Sequence, residues 1–183
     1  MDNGESSYRR FLAGDDEGLY EIICTYRTGL ILYLNSFVQN IRTAEELAED
    51  TFAELAIKCP KFSGKSSFKT WLFAIGRNIT SKYIRKHARL SVVPLDSQEH
   101  LADEKDLEGS YIKNEQKRSM HKAMHSLKAE YRQVLYLSFF EGFSNDETAK
   151  IMNKSRRQIE SLLYNAKKAL KNELERSGFE YEN

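Results

Sequence analysis

The sequence predicts an all-α protein of two small helical domains joined by an irregular acidic linker, and three observations lead there. Only two prolines and nine glycines occur in 183 residues, too little turn chemistry for a sandwich or barrel. Leu, Lys, Glu and Ala, all good helix formers, are prominent. Apolar residues recur every three or four positions in several stretches, and the periodicity lapses between Val92 and Glu115. A chain of this length can bury one sizeable core, or two smaller ones in units of under about 100 residues each.

From about Leu19 to Lys58 the strings LYEIICTYRTGLILYLNSFV and AEELAEDTFAELAIK read as two helices, with a short turn near Asn40 to Thr43 between them. In the second, Leu47, Phe52 and Leu55 suit a core, while Glu45, Glu46, Glu49, Asp50 and Glu54 leave an acidic outer face. Pro60 ends this helix because its ring disfavours helical geometry in the preceding residue, and KFSGKSS reads as a loop. A third helix starts near Ser67. In FKTWLFAIGRNITSKYIRKHAR the apolar stripe is Phe68, Leu72, Ile75, Ile79 and Tyr83, with Lys69, Arg77, Lys82, Arg85, Lys86 and Arg89 on other faces. Beyond the polar, acidic stretch, residues from about Gln116 to Glu141 form one helical pattern, with Met120, Met124, Leu127, Tyr131, Val134, Leu135 and Ser138 on a stripe and a turn at Gly142.

The formal net charge of +1 conceals segregation along the chain. Residues 1–57 carry net −7, residues 58–91 net +9 with nine cations and no carboxylate, residues 92–115 net −5, and residues 116–183 net +4. Nine cations without a carboxylate repel one another unless something anionic lies against them, and nucleic acid meets that need. Phe62, Phe68, Trp71, Phe73 and Tyr83 are interleaved with the cations. Exposed rings can stack on unpaired bases for about 1–3 kcal/mol each, although at helical spacing most of these rings are expected to pack in the core.

Other chemistries find little support. Cys24 and Cys59 belong to no CxxC or Cys/His pattern, so they read as buried free thiols rather than a disulfide framework or zinc finger. His121 and His125, four apart, are the best metal candidates, but beside Met120 and Met124 they read as structural. HExxH, P-loop, GxSxG and GxGxxG motifs are absent, so neither a catalytic residue nor a metal or cofactor is expected. MDNGESSYRR lacks an apolar signal core and no run approaches about 18 apolar residues; a soluble, cytoplasmic protein is expected.

The sharpest local signal is FSNDETAKIMNKSRRQIESLLYNAKKAL, which holds two helix-start signatures in succession. Ser144 with Glu147 can cap a short helix ending near Met152, and Ser155 with Gln158 a longer one ending near Leu174, with Asn153 and Lys154 as the turn. With Ile159, Leu163, Ala166 and Leu170 facing inward, this is a helix-turn-helix plan whose second helix enters a major groove. Arg156, Arg157, Gln158, Glu160, Ser161 and Tyr164 are candidate base readers, and Lys167, Lys168 and Lys171 would meet phosphate. An ordinary helical hairpin with a solvated basic face has the same periodicity, but not its paired caps.

With these residues in view, AEELAEDTFAELAIK followed by KFSGKSSFKTWLFAIGRNITSKYIRK resembles regions 2.2 to 2.4 of extracytoplasmic-function sigma factors, group 4 of the sigma-70 superfamily, and the later hairpin resembles region 4. The resemblance covers about residues 10–90 and 115–172, and implies region 2 over 1–91, a linker over 92–115 and region 4 over 116–183. It implies that Glu45, Glu46, Leu47, Asp50, Thr51, Phe52 and Leu55 dock on the β′ coiled coil of core RNA polymerase. Ser63, Lys65, Ser66, Ser67, Lys69, Thr70, Trp71, Arg77, Asn78, Lys82, Tyr83, Arg85 and Lys86 would handle the minus-ten element, capturing unpaired bases. Ser155, with Arg156, Arg157, Gln158, Glu160, Ser161, Tyr164, Lys167 and Lys168, would read the minus-thirty-five element as duplex, beside a contact of region 4 with the β flap. Glu160 and Leu162 stand where many members carry basic residues, and Asn165 where Arg is frequent. The resemblance also implies promoter DNA as a partner, a membrane-associated anti-sigma factor, a role in extracytoplasmic or stress responses, and neither a cofactor nor a small-molecule substrate. The alternatives are a stand-alone helix-turn-helix regulator whose first 90 residues bind a ligand or dimerise, and a small helical enzyme or metalloprotein.

Overall fold

The structure, a computed structural model, describes residues 3–90, 120 and 122–176. The linker expected over 92–115, His121 and the last seven residues lie outside them. All regular elements among the described residues are helical: α1 (Asn3–Leu12), α2 (Glu17–Val38), α3 (Ile41–Lys58), α4 (Phe68–Leu90), α5 (Ala129–Leu135), a π-helical turn (Tyr136–Phe140), α6 (Asn145–Met152) and α7 (Arg156–Arg176). The all-α class is as expected.

Helix boundaries follow local chemistry. Gln39 leaves α2 in the left-handed conformation, and the Asn40 side chain accepts from the Thr43 amide to cap α3. Cys59 ends α3, also left-handed, just before Pro60. Ser67 opens α4, its hydroxyl accepting from the Thr70 amide at 3.2 Å. α1, which sequence reasoning missed, holds α2 through the Ser7 hydroxyl, which donates to Glu21, packs the Tyr8 ring on Phe68 and Trp71 of α4, and reaches the residues after α3 through the Tyr8 hydroxyl, which donates to the Pro60 carbonyl.

The long helix expected over 116–141 is interrupted. Residues 122–125 are helical, a turn follows at Ser126 to Lys128, and α5 starts afresh at Ala129. The break frees the Leu127 carbonyl to accept from the buried Arg132 guanidinium, whose Nε also donates to the Ser36 carbonyl at 2.9 Å. After Leu135 the backbone widens, with the Glu141 amide bonding five residues back to Tyr136, which turns Phe139 out to solvent.

One apolar core runs through the whole described chain. Tyr8, Phe62, Phe68 and Trp71 cluster at one end, with ring centroids 5.1–5.7 Å apart. Further along, the Phe73 ring lies edge-on to Phe143 at 5.1 Å and Tyr33 stacks on Tyr136 at 6.3 Å, so the α1–α4 bundle and the α5–α7 unit share buried aromatics. Both cysteines, expected to be buried, are exposed. Cys24 lies away from the Ile22, Tyr26 and Leu30 stripe of α2, and Cys59 has already turned out of α3.

Candidate nucleic-acid interface

The far half of α4 carries the freest cations. Lys82, Arg85, Lys86 and Arg89 are exposed along it, with Asn78 exposed and Arg77 half-buried one to two turns earlier. Lys82 and Lys86 border an open groove whose floor includes Leu47, Ile79 and Tyr83 and whose opposite rim is Asp50, Glu54 and the exposed Ile57 of α3. An acidic helix face and a basic one therefore lie side by side on one bundle.

On α3, Glu46 and Asp50 are exposed and Glu45 is half-buried, 3.8 Å from Arg27. Leu47, Thr51, Phe52 and Leu55 of the same set are buried, and the Thr51 hydroxyl donates to the Leu47 carbonyl. Those four hold the helix; the carboxylates are what it offers outward.

The near end of α4 is already engaged. Ser63 and Lys65 are exposed and Ser66 half-buried, but Thr70 is only 1% exposed and the Trp71 ring packs among Tyr8, Phe62 and Phe68. Lys69 Nζ lies 2.7 Å from a Glu141 carboxylate oxygen, donates to the Glu141 carbonyl at 2.9 Å, and sits over the Phe143 ring at 4.7 Å. The Ser67 and Thr70 hydroxyls donate to Glu147 Oε1 at 3.3 and 3.1 Å, and Lys150 donates to the Lys65 carbonyl at 3.0 Å.

The helix-turn-helix has the expected local form. Ser144 and Glu147 make a reciprocal capping box on α6; Asn153, left-handed, makes the turn; Ser155 and Gln158 bond reciprocally at the start of α7. Burial alone would raise the Glu147 carboxyl, but bonds from the Ser144 amide and hydroxyl and from Thr70 and Ser67 outweigh it and hold the group below the usual carboxylate range. Ile159, Ala166, Leu170 and Leu174 are buried, with Leu163 half-buried. Ser155, Arg156, Arg157, Gln158, Glu160, Ser161, Tyr164, Lys167 and Lys168 are all exposed. Arg156 is shared between Glu160 at 2.9 Å and Asp146 at 3.1 Å, so Glu160 orients a candidate reader rather than facing solvent alone. Lys167 lies over the exposed Phe139 ring at 5.3 Å.

Sequence reasoning missed Glu141, Arg132 and Gly29, and saw Glu147 only as a cap. Glu141 and Lys69 are 72 residues apart, so no periodicity or cap could pair them. Among the described residues no cluster of His, Cys, Asp and Glu could hold a metal, and no helix is long and apolar enough to cross a membrane.

The chain matches the family models for sigma-70 region 2 over residues 23–90 and for sigma-70 region 4 over residues 117–170. It is similar to the RNA polymerase sigma factor YlaC of Bacillus subtilis, 24% identical over 88% of this chain and 94% of that one. It is also similar to the ECF RNA polymerase sigma factor SigM of the same organism, 28% identical over 82% and 91%. Among solved structures, the sigma factor RpoE in complex with the anti-sigma factor NepR from Bartonella quintana shares the fold, with a TM-score of 0.65 at 22% identity over 85% of this chain and 96% of that one.

Proposed function

Since the chain belongs to the sigma-70 family, in its extracytoplasmic-function branch, and is a sigma factor directing transcription, we propose that it grips core polymerase by one face of α3 and a two-part promoter by two cationic surfaces. Glu45, Glu46 and Asp50 dock on the β′ coiled coil, with Leu47, Thr51, Phe52 and Leu55 fixing the helix behind them. The loop from Ser63 to Ser67, with Lys69, Thr70, Trp71, Arg77, Asn78, Lys82, Tyr83, Arg85 and Lys86, takes the minus-ten element. The start of α7, Ser155 to Glu160 with Ser161, Tyr164, Lys167 and Lys168, takes the minus-thirty-five element, and region 4 touches the β flap. Residues 1–91 form the first unit, 92–115 the connection and 116–183 the second.

One observation carries this reading: a reciprocally capped helix-turn-helix with nine exposed candidate DNA-contacting residues lies in one chain with a bundle that sets an acidic face beside a basic one. The protein acts by differential binding and not as an enzyme. Unpaired bases held on α4 stabilise melted promoter relative to duplex, and phosphate contacts make the association salt-dependent. As in the RpoE–NepR complex, an anti-sigma factor holds the protein; a membrane-associated one would link it to an extracytoplasmic or stress signal. The protein works in the cytoplasm. Run-off transcription with core polymerase on a genomic promoter library tests the reading. New start sites that depend on the chain are expected; a chain that neither binds core polymerase nor alters its start sites would overturn it. A footprint made by the purified chain without polymerase would instead favour the stand-alone regulator, the second reading.

A further inference from the structure

Arg156 is held by two carboxylates from two helices, and one of them, Asp146, is not among the residues assigned to DNA. Resting on the assignment of α7 to the minus-thirty-five element, we propose that Asp146 and Glu160 are positioning residues for base reading: they clamp the Arg156 guanidinium so that its remaining edge meets one guanine of that element.

The clamp is built on two fixed helix ends. Asp146 stands in the first turn of α6, where the reciprocal bonds of Ser144 and Glu147 set the backbone. Arg156 opens α7, where Ser155 and Gln158 do the same. Asn153, at φ 52°, turns one helix into the other, so residues 10 apart in the chain come within one hydrogen bond. Arg156 Nε donates to Glu160 Oε1 at 2.9 Å, and Nη1 donates to Asp146 Oδ2 at 3.1 Å. A guanidinium has five N–H donors. These bonds use the one on Nε and one on Nη1, which leaves the second on Nη1 and both on Nη2 for a ligand. The side chain is still 63% exposed, so the carboxylates orient the group without burying it.

Charge selects what those donors take. One cation between two anions makes a cluster of net −1, which repels phosphate. Guanine is uncharged and presents two adjacent acceptors, N7 and O6, that match two parallel N–H groups. Arg157, next in the chain, is exposed and makes no ion pair among the described residues, so its charge stays undivided. Glu160 thereby differs from its neighbours on α7: with Oε1 on Arg156, it acts through that residue instead of accepting from a base. Holding a long side chain in place before DNA arrives also removes part of the ordering cost of the contact.

Holoenzyme assembled from core polymerase and the full chain tests the clamp, transcribing a promoter from the genomic library with its upstream element randomised. Sequencing the transcripts gives the preference at each base pair. Arg156→Ala should erase a guanine preference at one base pair. Asp146→Ala should lower the preference at that same base pair roughly two- to tenfold and leave the other positions as in wild type. Glu160→Ala should do likewise, and either change on top of Arg156→Ala should add nothing. A carboxylate that served only to stabilise the first turn of α6 would weaken every position alike, so uniform loss overturns the proposal. An unchanged preference overturns it too. So does stronger use of all sequences with a steeper salt dependence, which would mark Arg156 as a phosphate contact that the carboxylates withhold. A wild-type chain with no upstream preference at all would remove the assignment of α7 and the clamp with it; a preference that is present but responds in one of those three ways removes the clamp alone.

Discussion

The two cationic surfaces are built on different principles. The start of α7 projects from a small hairpin, and every candidate reader there points to solvent, held at most by neighbours a few residues away such as Glu160 and Asp146. The basic face of α4 is split. Lys82, Arg85, Lys86 and Arg89 at its far end are free in the same sense, whereas Ser67, Lys69 and Thr70 at its near end are satisfied by residues some 70 to 80 positions further along. A surface made of short-range contacts is set as soon as its helix forms; one whose partners come from the other unit is set only by how the two units pack. The aromatics sharpen the same contrast. Phe68 and Phe73 are fully buried, so α4 contributes more large aromatics to the shared core than α7 does, and the polar residues beside them are correspondingly constrained.

The largest effect should come from the shared core. Phe73→Ala removes a ring packed on both Tyr33 and Phe143 and should cost about 3–5 kcal/mol; chemical denaturation followed by tyrosine fluorescence measures it. If the two units were energetically independent, only one of two transitions would move. Next is base reading by α7. Arg157→Ala should cost about 1–3 kcal/mol of discrimination at the upstream element, roughly 5- to 150-fold in initiation there, while capture of core polymerase stays intact. Equal loss of both would remove the division of labour between the two surfaces. Charge reversal on α3, Glu46→Lys with Asp50→Lys, should weaken pull-down by core polymerase by roughly tenfold, more at low salt than at high. Undiminished capture would move the docking face elsewhere.

The smallest effect concerns the cap that both roles of Glu147 share. Ser144→Ala should destabilise the chain by about 1 kcal/mol in thermal melts. Because the Glu147 carboxyl is held below its usual range, its contribution is present above the ordinary carboxylate pKa and is lost as pH falls through the lowered one. Wild type should therefore show an acid limb in its stability profile that the Ser144→Ala variant flattens, and identical profiles would place the acid sensitivity at another carboxylate.

Short-range chemistry explains what could be read in advance. The paired caps at Ser144 and Ser155, the left-handed turn at Asn153 and the inward stripe of α7 involve residues within one or two turns of each other, so residue types in order suffice to specify them. The same holds for Leu47, Phe52 and Leu55 facing the core and for Pro60 following the end of α3. Less was visible where the pattern was short or its meaning depended on neighbours. α1 passed unseen although Tyr8 and Phe11 already lie three apart. Cys24 and Cys59 were expected inside, because thiols usually are, yet their positions relative to the apolar stripes put them outside.

The amino-acid order alone determined the helical class, the charge segregation, the acidic and basic helix faces and the local geometry at the start of α7, because each depends on residue order, on periodicity or on hydrogen bonds spanning three or four residues. Tertiary structure alone decided that Thr70 and Trp71 are enclosed, that the helix before the hairpin breaks to satisfy Arg132, and that Glu141 meets Lys69 beside Gly29. Those outcomes join residues distant in the chain, and a buried charge or hydroxyl takes whichever partner the packing brings within about 3 Å.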